Sequence, residues 1–390
     1  MIIELFPDQQ LAQDMLMSWY KSKDRPQFIT LGGYAGTGKT TLLSFFRRAL
    51  NKEKSNLKVA FCSYTGKATH VLRKKLFEHK AMFGGDEIRT IHSLIYKAVT
   101  NERGQIIGWR RRGKSEVEFD LLVVDEASMV DAEIWQDLLF FNLPIVAVGD
   151  HGQLPPVSGS FNLMENPQLR LEKIHRQAEE NPIIKLSVLA REQGGIVYGD
   201  YGNNVRKLTM EDAEGLLENI FRNYNNEDMI LCGYNNSRVR LNSTVRGALG
   251  FESPLPSVND RVICLRNNRE KEIYNGMLGY LKEIKKLAGD MYKVAISMDS
   301  FNGDFLYEGV ISSEQFNSST TLNNIAGYAK TKDMDLFDFG YALTVHKAQG
   351  SQAKKVVLFE ERFGRQDEDM WRRWLYTGIT RAEEELLIVG

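Results

Sequence analysis

The sequence lacks the features that mark membrane-spanning, secreted and uniformly basic proteins. No stretch of its 390 residues comes near the ~18 unbroken apolar residues that a membrane-spanning helix needs. The opening "MIIELFPDQQ" has neither the basic head nor the small-residue cleavage site of a signal peptide. The net charge of −1 argues against a continuous basic coat, although a local basic groove stays open. We therefore expect a cytoplasmic protein without a membrane partner.

Cysteine is scarce, and the spacing of the cysteines does not indicate a metal site. The three cysteines, Cys62, Cys232 and Cys264, lie in separate strand-like runs without metal-ligand spacing. This pattern predicts buried, reduced thiols that act as small apolar side chains. The chain also lacks an internal repeat and a long low-complexity tract, so we expect ordinary globular domains.

The chain does contain short β-branched runs that alternate with helical patterns. This alternation predicts parallel sheets with helices on both faces, arranged as two α/β lobes. The predicted strands are 28–31, 57–63, 119–125, 145–149, 229–232, 341–345, 355–359 and 385–389. The predicted helices are 39–51, 67–79, 132–139, 182–192, 211–224, 236–249 and 368–377.

Two segments interrupt the alternation. Segment 97–118 is polar, contains Gly104 and Gly108, and carries six Lys or Arg against three Glu. It predicts a protruding hairpin inserted in the first lobe. Segment 277–332 has patches of period-2 hydrophobicity, such as "MYKVAISM", followed by an Asn/Ser/Thr-rich stretch. It predicts a small all-β insertion in the second lobe.

The strongest chemical signal is the glycine-rich stretch "GYAGTGKT", between a predicted strand and a predicted helix. Glycines let backbone N–H groups turn toward phosphates, Lys39 can reach the β and γ oxygens, and the Thr40 hydroxyl can ligate Mg²⁺. The pattern predicts an ATP site. Its predicted nucleotide-binding residues are Gly33, Ala35, Gly36, Thr37, Gly38, Lys39, Thr40 and Thr41.

A neighbouring strand runs directly into two carboxylates in "LLVVDEASM". Asp125 is predicted to hold Mg²⁺ together with Thr40, and Glu126 to orient and deprotonate the attacking water. The presence of both carboxylates favours hydrolysis over nucleotide storage.

Three further residues are candidates for the γ-phosphate. Gln153 follows another apolar strand in "IVAVGDHGQLPPV", where a neutral amide can sense phosphate without adding charge. Arg176 in "LEKIHRQ" and Arg381 in "LYTGITRA" lie far down the chain. An arginine supplied across a cleft stabilises charge in the transition state of phosphoryl transfer.

These motifs, in this order, resemble the superfamily-1 DNA helicases of the RecD/Dda branch, whose members move 5′→3′. The resemblance covers essentially the whole chain, from Gln9 onward. The blocks that carry it are 33–40, "SYTGKAT" (63–69), "TIHSL" (90–94), "VVDEASM" (123–129), "VGDHGQLPPV" (148–157), "LEKIHRQ" (171–177), "ALTVHKAQGSQ" (342–352) and "LYTGITRA" (375–382).

The resemblance implies two RecA-like lobes with ATP in the cleft and single-stranded DNA across their tops. The first lobe would comprise 1–96 and 119–175, with 97–118 as a strand-separating pin. The second would comprise 176–276 and 333–390, with 277–332 as an SH3-like insertion.

The resemblance also implies roles for single residues. Gln9 would read adenine, although the adjacent Gln10 leaves the assignment open by one residue. Arg176 and Arg381 would be the arginine fingers, and Gln153 would link the γ-phosphate to DNA. Gln349 and Gly350 would lie near the nucleotide. The DNA path would include Thr65, Gly66, Lys67, Thr90, His92, Trp109, Thr344 and His346.

Some of these roles have structural alternatives. The two histidines can instead be structural hydrogen-bond donors. Trp109 can stack on a splitting base pair, or it can pack onto the lobe as part of an ordinary loop.

We interpret the chain as an ATP- and Mg²⁺-dependent helicase acting on single-stranded and forked DNA in replication, recombination or repair. We expect a monomer, with a single-stranded-DNA-binding or replication protein as a further partner. Three alternatives stay open: a translocase that displaces proteins with little unwinding, a P-loop kinase or ATPase unrelated to DNA, and a non-hydrolysing clamp.

Overall fold

The computed structural model describes residues 4–100, 106–156, 161–174, 180–268, 271, 273–299, 305–322, 334–364 and 367–390. The side chains of residues 67, 70, 98, 100 and 106–109 lie outside this description. The chain forms two compact units, Met1–Arg191 and Glu192–Gly390. The sequence motifs place the division earlier, after residue 175.

The first unit is built on a six-stranded sheet in the order β3-β2-β6-β7-β1-β8. Every neighbouring pair in this sheet is parallel. Its strands are β1 (Phe28–Gly33), β2 (Val59–Ser63), β3 (Glu87–Thr90), β6 (Leu121–Asp125), β7 (Ile145–Gly149) and β8 (Leu169–Leu171). β4 (Tyr96–Thr100) and β5 (Ile106–Arg111) form a separate two-stranded antiparallel hairpin.

Helices cover both faces of this sheet. They are α1 (Pro7–Lys21), α2 (Lys39–Glu53), α3 (Gly66–Glu78), α4 (Ile91–Ile95) and α5 (Ala132–Leu139). Successive residues of β6 belong to different cores: Val123 packs with α1, α2 and α3, whereas Val124 packs with α4 and α5. A strand buried on both faces reads as a continuous apolar run, which is why "LLVV" predicts it well.

The second unit contains a six-stranded sheet and a five-stranded sheet. The six-stranded sheet has the order β17-β11-β18-β19-β10-β9 and is parallel apart from the β9–β10 pair. Its strands are β9 (Gly199–Asp200), β10 (Val205–Leu208), β11 (Asp228–Cys232), β17 (Ala342–Thr344), β18 (Ala353–Phe359) and β19 (Ala382–Val389).

The five-stranded sheet is antiparallel throughout, in the order β15-β14-β13-β12-β16. Its strands are β12 (Arg261–Cys264), β13 (Leu278–Lys286), β14 (Met291–Met298), β15 (Phe305–Ser312) and β16 (Phe337–Phe339). Two of them, β12 and β16, lie outside the segment 277–332 that the hydrophobic pattern singled out.

Among the described residues, the remaining α-helices are α6 (Pro182–Gln193), which carries the chain from the first unit into the second, and three helices of the second unit. These are α7 (Met210–Arg222), α8 (Asn235–Ala248) and α9 (Glu368–Ile379). In the described part of the chain, no helix combines the length and apolarity that a membrane crossing requires.

The predicted fold class, α/β with parallel sheets flanked by helices, is confirmed. The cysteine prediction is also confirmed: Cys62, Cys232 and Cys264 are free and buried. Burial raises the pKa of Cys232 and of Cys264 to about 12. These thiols therefore stay protonated and unreactive.

Candidate functional site

The candidate nucleotide site lies where three adjacent strands of the first sheet end. β7 stands between β6 and β1, with Val124 opposite Ala147 and Gly32 opposite Gly149. The segments after these strands are the glycine-rich loop, the Asp125-Glu126 pair and the loop that contains Gln153. Because parallel strands end at the same edge, ligands of open α/β sheets bind at their carboxyl ends.

The glycine-rich loop has the backbone shape of a phosphate cradle. Gly36 and Gly38 take φ values of +81° and +79°, a region that side chains with a Cβ disfavour. Gly38 is the N-cap of α2, so the partial positive charge of a 15-residue helix faces the loop. The Lys39 ammonium donates to the carbonyls of Gly33 at 2.6 Å and Tyr34 at 3.1 Å.

Close packing explains two of the loop's other residues. A Cβ on Gly33 would lie 2.7 Å from Oγ1 of Thr37, which is itself fully buried and donates to the Tyr34 carbonyl at 2.8 Å. Thr37 therefore fixes the loop from inside. Thr40 and Thr41 lie in the first turn of α2, which begins at Lys39.

Gln9 attaches the start of α1 to this loop. Its amide nitrogen donates to the Thr37 carbonyl at 2.9 Å, and its amide oxygen accepts from the Phe6 N–H at 3.1 Å. Gln9 is buried, whereas Gln10 is exposed and donates to Asp14. A carboxamide has two N–H donors and two lone pairs, and these two hydrogen bonds use one of each.

The two predicted carboxylates occupy adjacent positions with different backbones. Asp125 ends β6, and burial raises its pKa, while the Glu126 N–H and the Lys39 charge act in the opposite direction. Glu126 has a φ of +53°, the left-handed region. A non-glycine residue held there is typical of functional sites.

The donors present fit Mg²⁺. Thr40 and Asp125 offer oxygen ligands, which Mg²⁺ prefers, and Mg²⁺ is usually held by one or two carboxylates together with substrate phosphates. Within the described residues, no group of three or more His, Cys, Asp or Glu could hold a metal unaided.

Asp150 belongs to the site, and the sequence analysis missed it. Its buried carboxylate lies 4.0 Å from the Lys39 ammonium. It accepts from the Gly152 N–H at 2.9 Å, and the Gln153 amide lies 3.5 Å away. An acidic residue directly after a buried strand is the signal that identified Asp125, and it was available for Asp150 too.

A stack of three side chains borders the loop. The Tyr34 ring lies 4.1 Å from the His151 ring, and the Arg191 guanidinium carbon lies 3.6 Å from the Tyr34 ring centroid. Burial lowers the pKa of His151, so this ring is neutral at neutral pH. The stack ties α6 to the phosphate loop through cation–π attraction.

The predicted DNA-path threonines share one local structure. Thr65 follows β2 and accepts from the Ala68 N–H at 3.2 Å, and Thr90 ends β3 and accepts from the Ser93 N–H at 3.3 Å. Thr344 ends β17 in the second unit and accepts from the Lys347 N–H at 3.3 Å. Each threonine caps a helical turn, which leaves backbone N–H groups at the carboxyl end of a parallel strand.

The other predicted DNA residues of the first unit lie beside these caps. Gly66 is the first residue of α3 and is exposed, and a Cβ at this position would have no other atom within 4 Å. Lys67 follows it in α3, but its side chain is outside the described residues. The His92 ring lies 5.8 Å from the rings of both Tyr64 and Tyr96. Trp109 pairs with Ala98 in the hairpin, and its side chain is likewise not described.

The second unit brings Arg381 to the turn that contains Gln349 and Gly350. Arg381 is buried, and its guanidinium donates to the carbonyls of Thr377 at 3.0 Å and Ser351 at 3.2 Å. Gly350 has a φ of +70°. Burial lowers the pKa of His346, so a neutral imidazole is present. Arg176 lies outside the described residues.

Two family profiles match the chain. The profile described as "AAA domain" matches residues 9–209, more than half of the chain. The profile described as "UvrD-like helicase C-terminal domain" matches residues 339–389. The first match contains the phosphate loop, and the second contains Arg381.

Several curated proteins are similar over most of this chain. The ATP-dependent RecD2 DNA helicase of Deinococcus radiodurans is 26% identical over 93% of this chain, which spans 47% of that relative, about half its length. The RecBCD enzyme subunit RecD of Buchnera aphidicola is 26% identical, with 93% of this chain and 69% of the relative covered. The ATP-dependent DNA helicase dda of phage T4 is 24% identical, with 94% and 95% covered.

A solved structure has the same fold. A crystal structure of Bacteroides Pif1 bound to single-stranded DNA has a TM-score of 0.54 and 18% identity, covering 99% of this chain and 92% of that one. At this identity the likeness concerns the fold. The superfamily-1 helicase family predicted from the order of the motifs is confirmed, and within it this chain belongs to the RecD/Pif1 type.

Proposed function

We propose that this protein is an ATP-dependent DNA helicase that moves 5′→3′ on single-stranded DNA and unwinds duplex DNA. The observation that carries the proposal is the layout of one sheet edge. The three nucleotide loops follow β1, β7 and β6, and the capped turns at Thr65 and Thr90 follow the next two strands, β2 and β3. ATP and single-stranded DNA would therefore bind at the same edge of one sheet.

The nucleotide roles follow from charge and position. Lys39 binds the β- and γ-phosphates after releasing the carbonyls it now contacts, and Asp125 and Thr40 hold Mg²⁺, which neutralises phosphate charge when bound. Glu126 orients the attacking water. Gln153, which lies beside Asp150, senses the γ-phosphate, and Gln9 contributes its remaining donor and acceptor to adenine.

In this proposal the second unit supplies the side chains that make the protein respond to bound ATP. Arg381, together with Gln349 and Gly350, stabilises the γ-phosphate charge, with Arg176 as a second cation. Arginine fingers contribute about 10³–10⁵ in rate in related phosphoryl transfers. Directional movement requires that the affinity for DNA differ between the ATP-bound and ATP-free conformations. A nucleotide that binds two conformations equally well does not change the equilibrium between them.

DNA contacts in this proposal go to phosphates. The N–H groups of the turns at Thr65, Thr90 and Thr344, together with Lys67, bind the backbone without reading sequence. Gly66 allows close approach of the strand, and His92, His346 and Trp109 offer rings to bases or sugars. Single-stranded and forked DNA are the partners that this set of contacts fits.

The test is the opening of labelled forks that carry either a 5′ or a 3′ single-stranded tail, with ATP and Mg²⁺. We expect the 5′-tailed fork to open and the 3′-tailed fork to stay closed. Glu126→Gln is the matched control, since it should bind ATP and DNA and open neither fork. Opening of the 3′-tailed fork alone would refute the polarity. Binding and ATP turnover without opening of either fork would favour the protein-displacing translocase.

A further inference from the structure

The hairpin β4–β5 is fixed to α5 by a partly buried cluster at its base. The Tyr96 hydroxyl donates to Oδ2 of Asp137, and Arg111 donates to Oδ1 of the same carboxylate. The Arg111 guanidinium carbon also lies 3.7 Å from the centroid of the Phe140 ring. We call Tyr96, Arg111, Asp137 and Phe140 the hairpin brace.

The brace joins both strands of the hairpin through a single acceptor. Tyr96 on β4 and Arg111 on β5 are direct cross-strand partners, and both reach Asp137. The Asp137 side chain is 18% exposed and that of Arg111 is 36% exposed. The ion pair is therefore screened less than a fully exposed one, and the aromatic face below Arg111 adds cation–π attraction.

A second and more exposed cluster holds the hairpin from the other side. Glu116 accepts from Lys97, from Arg110 at 3.1 Å and from the Gly113 N–H at 2.7 Å. Lys97 and Arg110 are again cross-strand partners. These contacts lower the pKa of Glu116 to about 2, so the carboxylate is ionised at neutral pH.

Within the described residues, the strands of the hairpin pair only with each other. It forms a two-stranded sheet of its own, and isolated two-stranded hairpins are marginally stable in water. At its base the Arg112 N–H donates to the Ile95 carbonyl at 2.8 Å, and the side chains described above add further contacts there. Residues 101–105, between β4 and β5 in the sequence, lie outside the described residues.

The brace also lies next to the candidate DNA path. Tyr96 directly follows α4, whose N-cap is Thr90, and the His92 ring lies 5.8 Å from the Tyr96 ring. A strand held at Thr90 and His92 would thus lie close to the side chains that direct the hairpin.

We propose that Asp137 is a positioning residue for strand separation. It holds the base of the hairpin against α5 through Tyr96 and Arg111, so that movement along one strand presses the duplex against a rigid element. This inference rests on the proposed helicase function. Asp137 does not contact nucleotide in this account, so it should affect the coupling of ATP turnover to unwinding and leave the turnover itself unchanged.

The test compares Asp137→Ala and Asp137→Asn with the wild type and with Glu133→Gln, an exposed carboxylate one turn earlier on α5. Two quantities are measured on the full chain: ATP turnover with single-stranded DNA, and base pairs opened per ATP on a 5′-tailed fork. For Asp137→Ala we expect normal turnover and at least severalfold fewer base pairs per ATP, because both strands of the hairpin lose their shared acceptor.

The second variant guards against misfolding. Asp137→Asn keeps the shape and one acceptor, so it should fold normally and lose coupling in the same direction by a smaller factor. Equal base pairs per ATP in wild type and Asp137→Asn would overturn the inference, and so would a parallel loss of turnover and opening in Asp137→Asn. If the wild type itself turns over ATP with DNA and opens no fork, the proposed function fails instead.

Discussion

The buried ion pair between Arg47 and Asp86 provides a test of the energetics of the nucleotide-binding unit. The side chains are 1% and 0% exposed, and Asp86 accepts from Nε of Arg47 at 2.8 Å and from a terminal guanidinium nitrogen at 2.9 Å. Asp86 also accepts the N–H groups of Val59 at 3.1 Å and Phe83 at 3.0 Å. The pair fixes α2, whose N-terminus faces the phosphate loop.

Asp86→Asn keeps the size of the side chain but leaves the Arg47 charge buried without its counter-ion. Removing one partner of a buried pair costs about 3–5 kcal/mol, because the remaining charge is not solvated. With a urea m-value of about 2–3 kcal/mol/M, the unfolding midpoint of the first unit should fall by about 1–2.5 M. The assay is urea unfolding followed by circular dichroism, with the transitions of the two units fitted separately.

Glu53→Gln is the matched control, because Glu53 ends the same helix and pairs with Lys21 at 2.8 Å with both side chains about half exposed. Exposed pairs contribute about 0–1 kcal/mol, so its midpoint should barely move. Equal, small shifts for both variants would refute the reasoning that burial determines the cost of breaking the pair.

Three other predictions concern the loop, the DNA path and the hairpin. Gly38→Ala should weaken nucleotide binding at least severalfold in titration calorimetry, because Gly38 has a φ of +79° and a Cβ would lie 2.3 Å from Nε2 of Gln9; unchanged affinity would mean that the loop relaxes freely. Binding to oligo-dT should weaken with salt by about 0.7 log units per tenfold salt for each phosphate contact, and a flat response would count against phosphate contacts. The hydrogen bond from Lys97 and the other contacts lower the pKa of Glu116 from its ordinary value of 4.5 to about 2 in the folded protein. The stabilisation that ionised Glu116 gives the hairpin is therefore complete above pH 4.5 and is lost as the pH falls toward 2. Base pairs opened per ATP should therefore stay level between about pH 6 and 8 as far as Glu116 is concerned; a decline that Glu116→Gln abolishes would contradict this.

The sequence signals for the nucleotide half of the candidate site are local. A strand, a glycine-rich turn and a helix follow one another at 28–53, and the positive φ values of Gly36 and Gly38 explain why glycine is required there. The same reasoning applies to Asp125, which ends a fully apolar strand. In such segments a few neighbouring residues determine both structure and chemistry.

Residues that depend on distant partners were harder to predict. Helix α1 is a different case: Pro7 at its start and the buried Ala12, Leu16 and Trp19 at helical spacing are local signals, yet α1 is not among the predicted helices. Asp137 looks like an ordinary polar residue of a short helix until the fold brings Tyr96 and Arg111 to it. Short strands such as β8, with three residues, carry too little pattern to be recognised from sequence alone.

The measurement that tests the account most directly is the rate of ATP turnover with and without saturating single-stranded DNA, with Lys39→Ala as the background. If ATP and DNA bind at one sheet edge, single-stranded DNA should raise the ATP turnover rate of the wild type by at least an order of magnitude. Lys39→Ala should be inactive in both conditions. Turnover by the wild type at the same rate with and without DNA would contradict the proposed coupling.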